Sequence, residues 1–185
     1  MADSVGSVGV FKVKSLIAAA VLGLSLTGAA SAATLDVQSA ANSSGGGVGL
    51  ATGLILSLNQ MFSVTADVLD TWSLGANDPG CTRESNADGL TACFGNYSQA
   101  NLSALYGTLV GQIGVGGDFF VLGSNFSGPA AAVGELFLYN WDSNTGDNSG
   151  SIEATVTAAI PLPAGGLLLL GALGGIAALR RRKTA

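Results

Sequence analysis

ELFLYNWDSNTGDNSGSIEATVTA, residues 135–158, sets two kinds of sequence side by side. Ile152, Ala154, Val156 and Ala158 alternate with Glu153, Thr155 and Thr157, which is the period of a strand with one buried face. Residues 135–139 read as a second strand. Between the two lies Asn140 to Gly150, where most side chains are small, turn-forming or oxygen-bearing.

The same signature recurs along the chain. Phe62, Val64, Ala66 and Val68 alternate with small or polar residues, and 54–58, 109–115 and 119–122 are short apolar runs bounded by Gly, Asn, Asp or Pro. With 28 glycines in the whole chain and hardly any segment of helical period, the pattern predicts an all-β protein, a small antiparallel β-sandwich. Residues 33–49, which include Ser43-Ser44-Gly45-Gly46-Gly47, read as a flexible Gly/Ser-rich lead-in, and the sandwich is expected over 50–159. The excursion 73–107 reads as too polar and glycine-punctuated for the core. A loop of that length in a compact domain is usually functional or tied down.

The two ends carry sorting signals. Lys12 and Lys14 precede an apolar run, 16–26, and then Ala30-Ser31-Ala32, which fits a secretory signal peptide over 1–32 cut between Ala32 and Ala33. The run is short of the roughly 20 residues that span a bilayer, so cleavage is expected, with an uncleaved anchor as the alternative. At the other end Ile160-Pro161-Leu162-Pro163-Ala164 leads into an apolar helix expected over 164–179 and a basic tail, 180–183. The prolines stop the preceding strand, and the cations hold the helix end at the cytoplasmic face. Segment 160–185 resembles the bacterial VPLPA-CTERM sorting signal, a relative of PEP-CTERM. That resemblance implies an exosortase-type protease as partner, an inner-membrane-anchored precursor and a Gram-negative bacterium whose surface or medium receives the product.

Six of the seven basic residues lie in these end segments, so 33–160 keeps one, Arg83, against eleven acidic residues. Nucleic acid is thereby excluded as a partner, because neutralising phosphates takes clustered cations; divalent cations suit such a domain. With no histidine, a Cys/His zinc site is excluded. In an oxidising compartment Cys81 and Cys93 are expected to form a disulfide closing a short loop, the alternative being two free thiols.

Asp142, Asp147 and Asn148 place hard oxygens within one turn-rich loop, the donor type Ca2+ takes in sets of about 6 to 8. The spacing is not that of an EF-hand, and a solvated hairpin turn is the plainer reading of the residues alone. From 136–138 through this loop into 151–157 the chain resembles the PA-IL-like family of galactophilic, calcium-dependent lectins. Thr52-Gly53-Leu54-Ile55 with Asn59-Gln60-Met61-Phe62-Ser63-Val64 resembles that family's opening hairpin. Trp72-Ser73-Leu74-Gly75 resembles its Trp-containing turn, 83–90 its following loop and 109–114 its next strand.

The resemblance implies a jelly-roll-like, galactose-binding-domain-like sandwich with one Ca2+ bridging protein and sugar. It implies Asp142, Asp147 and Asn148 as side-chain ligands, with backbone carbonyls from Asn144 and Leu74. It places Asp142, Asp147, Asn148, Ser85, Asp88 and Trp141 at the carbohydrate. Ser85 stands where the family has His, Asp88 where it has Gln, and Trp141 where it has Asn; Trp141 either stacks on a sugar ring or packs. The leading expectation is an exported module that binds Ca2+ and through it carbohydrate, galactose-type or exopolysaccharide. The alternative is a structural envelope or matrix sandwich without a sugar pocket. Catalysis is not expected: Glu84 and Asp88 form the one carboxylate pair considered, and no nucleophile signature accompanies them.

Overall fold

The computed structural model of the chain describes residues 30–159 and residue 171. Most of the secretory signal, the sorting motif from Ile160 to Ala164, all of the apolar run after it except Gly171, and the basic tail lie outside the described residues. Among the described residues no helix is long and apolar enough to cross a membrane.

The alternating segment at the end of the domain is the backbone of one sheet. Strand β12 (Ser149–Ala159) buries Ile152, Ala154, Val156 and Ala158 and turns Glu153 to solvent. Along one edge it pairs antiparallel with β1 (Ala30–Gln38), from Ala30↔Ala159 to Gln38↔Ser151. Along the other edge it pairs first with β4 (Trp72–Ser73) and then with β3 (Met61–Ala66). β10 (Asn125–Pro129) extends the sheet beyond β3, and β5 (Glu84–Ser85) extends it beyond β4. The second sheet runs β2 (Leu50–Leu56), β11 (Gly134–Trp141), β8 (Thr108–Ile113), β9 (Phe119–Val121), all antiparallel. Side chains from both sheets meet in one core that includes Val37, Leu56, Val64, Leu136, Leu138, Ile152 and Val156. The chain is therefore the antiparallel β-sandwich that the period-2 pattern predicts.

Two expectations are corrected. Residues 33–49 are not a lead-in to the sandwich but part of it. Leu35 and Val37 turn inward between Thr34, Asp36 and Gln38, so β1 is an ordinary half-buried strand, and Val37 is fully buried. The turn after it is held by its own side chains: the Gln38 N–H donates to Asn42 Oδ1 (2.8 Å), and Asn42 Nδ2 donates to the Val48 carbonyl (2.8 Å). The domain thus begins near residue 30 rather than 50. Ala32 and Ala33, the expected cleavage pair, fall inside β1 opposite Thr157 and Val156, so a cut there leaves Ala33 to Gln38 still paired with β12.

The second correction concerns 73–107. Leu74, Ala87 and Leu90 from this excursion are buried in the main core. Its hairpin of β6 (Asn96–Gln99) and β7 (Leu102–Leu105) lays Tyr97, Leu102 and Ala104 over the outer face of the second sheet, against Val110 and Trp141. That cover is why every residue of β8 is buried. Residues 76–80 and 91–96 are exposed, and the apolar residues set between these runs pack inward, which a count of polar residues hides. Cys81 and Cys93 are joined in a disulfide with Cα atoms 5.5 Å apart, so neither is a free thiol.

Burying a large aliphatic side chain stabilises a fold by about 1.5–3 kcal/mol, and truncating one also leaves a cavity. Ile152 is 0% exposed. Ile152→Ala is expected to lower unfolding free energy by about 2–5 kcal/mol in urea denaturation, with the exposed neighbour change Glu153→Ala staying within about 0.5 kcal/mol. Equal effects at the two positions would contradict the register of β12.

Candidate functional site

The loop Asp142 to Asn148 leaves β11 and re-enters at β12, and the turn 39–47 grips its base. Asn140 is fully buried and its Nδ2 donates to Ser39 Oγ (2.8 Å). The Asn140 N–H donates to the Asn42 carbonyl (2.9 Å), and the Ser44 N–H donates to the Asn140 carbonyl (2.9 Å). One residue on, the Asp142 carbonyl accepts from both Ser43 Oγ and Ser44 Oγ (3.2 Å each). Gly45 sits so close that a Cβ there would lie 2.4 Å from the Asp142 carbonyl oxygen. Small hydroxyl residues and glycine are what this approach requires, which gives the Gly/Ser run a structural reason.

Asp142 is 5% exposed. Its Oδ1 accepts from the Ser143 N–H (2.8 Å). Burial pushes its carboxyl above the usual carboxylate range; hydrogen bonds from the Asn148 side chain and from the Ser143 and Asn144 backbones pull it back, and the nearby Asp147 charge adds to the rise. Asn148 Nδ2 donates to the Ser39 carbonyl (3.3 Å), while its Oδ1 is buried with no hydrogen-bond partner among the described residues. Asn144 turns its side-chain oxygen to the Gly146 N–H (3.0 Å), which shapes the loop.

Leu74, Arg83, Phe94, Tyr106, Asp142, Ser143, Asn144 and Asp147 line one depression of about 120 Å³. That is room for about four waters, so it suits an ion with part of its hydration shell. Phe94 and Tyr106 stand on one side of it with ring centroids 5.4 Å apart. Gly75, at φ +120, lets Asp147 and Arg83 in: a Cβ there would be 2.8 Å from Asp147 Oδ2 and 3.1 Å from an Arg83 nitrogen.

The structure therefore brings Leu74, Asp142, Asn144 and Asp147 to one pocket; Asn148 does not line it, and its side chain hydrogen-bonds that of Asp142. It does not bring Ser85, Asp88 or Trp141 there. Ser85 is 4% exposed and its Oγ donates to the Asn86 carbonyl (2.7 Å). Asp88 accepts from the Ser124 N–H (2.7 Å) and Ser124 Oγ (2.9 Å), pinning the 86–90 turn to the start of β10. Both residues line a separate depression with Thr82, Glu84 and Asn86. Trp141 is fully buried, donates from Nε1 to the Tyr97 carbonyl (3.0 Å) and touches the Tyr97 and Phe119 rings. Of its two expected roles, it packs.

No protein-family model matches the chain. No curated protein matches it either. Among solved structures it is similar to one described as the EclA N-terminal domain, a PllA-like lectin, at 17% identity and a TM-score of 0.45, covering 69% of this chain and 94% of that chain.

Whether the pocket suits the cation that its sequence resemblance implies can be tested on the donors themselves. Among the described residues no three carboxylate or cysteine side chains converge on one point, so any cation here relies on amide and main-chain oxygens as well as Asp142 and Asp147. Asn148 Oδ1, an amide oxygen buried without a donor, is such an oxygen, and burying it unmatched costs free energy that a cation would offset. The donor set fits a hard ion.

Sequence reading missed four residues of this pocket: Arg83, Phe94, Tyr106 and Ser143. A signal existed for two of them. Arg83 lies two residues after Cys81 and Phe94 directly follows Cys93, so the disulfide that ties the loop also delivers both side chains.

A carboxyl that, like that of Asp142, holds its proton more tightly folded than unfolded contributes stability that is present at low pH and lost as the pH rises through the raised value. The ionised group is thus a cost to the cation-free fold. In chelator at neutral pH, Asp142→Asn is expected to cost less than about 1 kcal/mol and to flatten the pH dependence of stability above the usual carboxylate range. A loss of more than about 2 kcal/mol in urea titration would show that the carboxylate stabilises the fold by itself.

Proposed function

We propose that the pocket at the 142–148 loop binds Ca2+ and, through it, neighbouring hydroxyls of a carbohydrate, as a binding module rather than an enzyme. The observation that supports this most is a buried carboxylate, Asp142, lining a pocket with Asp147 and two aromatic rings, with the buried, unmatched Asn148 Oδ1 on the side chain next to it. Asp142, Asp147 and Asn148 would hold the ion with side-chain oxygens, and Asn144 and Leu74 with backbone carbonyls. Ca2+ supplies coordination positions that exchange water for hydroxyl oxygens. The chain's own groups do the orienting. Carboxylates accept hydrogen bonds from the hydroxyls, while Phe94 and Tyr106 offer faces to the C–H side of a ring. Glu84 and Asp88 are not proposed as a catalytic pair, since Asp88 already anchors Ser124.

A second reading, a matrix or envelope sandwich that the ion only stabilises, draws on the positions of Ser85, Asp88 and Trp141, which leave the sugar fewer side chains than the sequence suggests. Calorimetric titration with CaCl2, then with galactose and a small glycan panel in saturating calcium, separates the two. The expected result is calcium binding followed by sugar heat that chelator abolishes. Sugar binding that survives chelation would refute the calcium-bridged reading, and calcium heat with no sugar heat would favour the scaffold.

We further infer that the protein is exported, its precursor held in the inner membrane by the C-terminal apolar segment and released to the surface or medium by an exosortase-type protease. The support is sequence order alone: Ile160-Pro161-Leu162-Pro163-Ala164, apolar run, basic tail. Pro161→Ala with Pro163→Ala is expected to leave an uncleaved, membrane-held precursor on immunoblots of fractionated cells; normal release would contradict processing at this motif.

A further inference from the structure

Arg83 is the one basic residue among those the structure describes, and it lies in the pocket proposed for the cation. Its guanidinium is divided between two acidic partners. One terminal nitrogen donates to Asp78 Oδ2, and the other lies 3.9 Å from Asp147 Oδ2, beyond hydrogen-bond range and at the edge of an ion pair. The guanidinium carbon sits 5.3 Å from the centre of the Phe94 ring, and Nε is buried with no partner among the described residues.

The backbone beneath it is fixed. The Arg83 N–H donates to Asn77 Oδ1 (2.6 Å), and its carbonyl accepts from the Leu74 N–H (2.9 Å). The Cys81–Cys93 disulfide closes the loop around it. What remains free to move is the side chain, and Asp78, more than half exposed, is a second carboxylate within its reach.

We propose that Arg83 is a built-in competitor for the calcium site. In the cation-free protein its guanidinium is held on Asp78 and also lies 3.9 Å from Asp147; when the ion binds, like-charge repulsion breaks the looser Asp147 contact and leaves Asp78 as its one carboxylate. Arg83 thereby sets the calcium concentration at which the pocket becomes able to take a ligand. This rests on the calcium reading above, and goes beyond it by assigning the affinity to a residue outside the ligand set. The loose 3.9 Å contact and the unmatched Nε are what a displaceable counter-ion needs, because a fully satisfied guanidinium would be costly to move.

The test is calorimetric calcium titration of the folded protein and of Arg83→Gln, Asp78→Asn and the double variant, with circular dichroism to confirm folding. Arg83→Gln is expected to bind calcium roughly three- to tenfold more tightly. Asp78→Asn, which leaves Asp147 as the guanidinium's only carboxylate, is expected to bind about two- to threefold more weakly. In the Arg83→Gln background the Asp78 change should then do nothing, whereas a mere field effect of that charge would persist in both backgrounds. Unchanged or weaker binding in folded Arg83→Gln, with the parent protein binding calcium, overturns the competitor role and leaves the calcium reading intact. So does an Asp78 effect of equal size in both backgrounds. Absence of calcium binding in both the parent and folded Arg83→Gln overturns both readings. Should Arg83→Gln not fold, Asp78→Asn alone decides, since tighter or unchanged binding there contradicts displacement toward Asp78.

Discussion

A buried carboxylate at the end of a strand is the constraint around which this domain is arranged. Asp142 lies at the rim of the sandwich, nearly without solvent, and its backbone and that of Asn140 are gripped by Asn42, Ser43 and Ser44. Ser39 joins the two ends of the loop: it accepts from Asn140 and Asn148 and is tied through its N–H to the Gly150 carbonyl (3.0 Å). The network fixes geometry more than it adds stability, because Asn140 Oδ1 and Asn148 Oδ1 stay buried without partners among the described residues. The polar turn after β1 therefore acts as a mould for the loop that carries the oxygens.

That arrangement explains which parts of the molecule were legible. Strands whose residues alternate, such as β3 and β12, announce themselves by period, because burial on one face is imposed residue by residue along a single stretch. β1 carries the same period in Leu35 and Val37, but the Gly/Ser run behind it suggests flexibility. Nothing local shows that Ser39, Ser43 and Ser44 will be paired to a strand end about a hundred residues away. Composition reports what a segment would do alone, and this one is never alone.

The site divides along the same line. Asp142, Asn144, Asp147 and Asn148 sit in one loop and can be read together. Ser85 and Asp88 share a polar loop and look equally available, yet Ser85 is buried against Gly107, where a Cβ would lie 2.8 Å from its side chain, and Asp88 is spent on Ser124. Arg83, Phe94 and Tyr106 come from three points along the excursion and meet the loop only because β4 pairs with both β5 and β12 and because Cys81 reaches Cys93. Trp141, one residue before the first carboxylate, shows the limit of neighbourhood in sequence: strand alternation turns it away from the pocket and under the β6–β7 hairpin.

The 142–148 loop is proposed as a calcium site that Asn148 closes. A crystal structure of the domain grown in millimolar calcium addresses it most directly. The expected result is one ion with Asp142, Asp147 and Asn148 Oδ1 at about 2.3–2.6 Å and the Arg83 side chain withdrawn from Asp147. Water in the pocket at saturating calcium, with Asn148 Oδ1 still unmatched and Arg83 still beside Asp147, would contradict it.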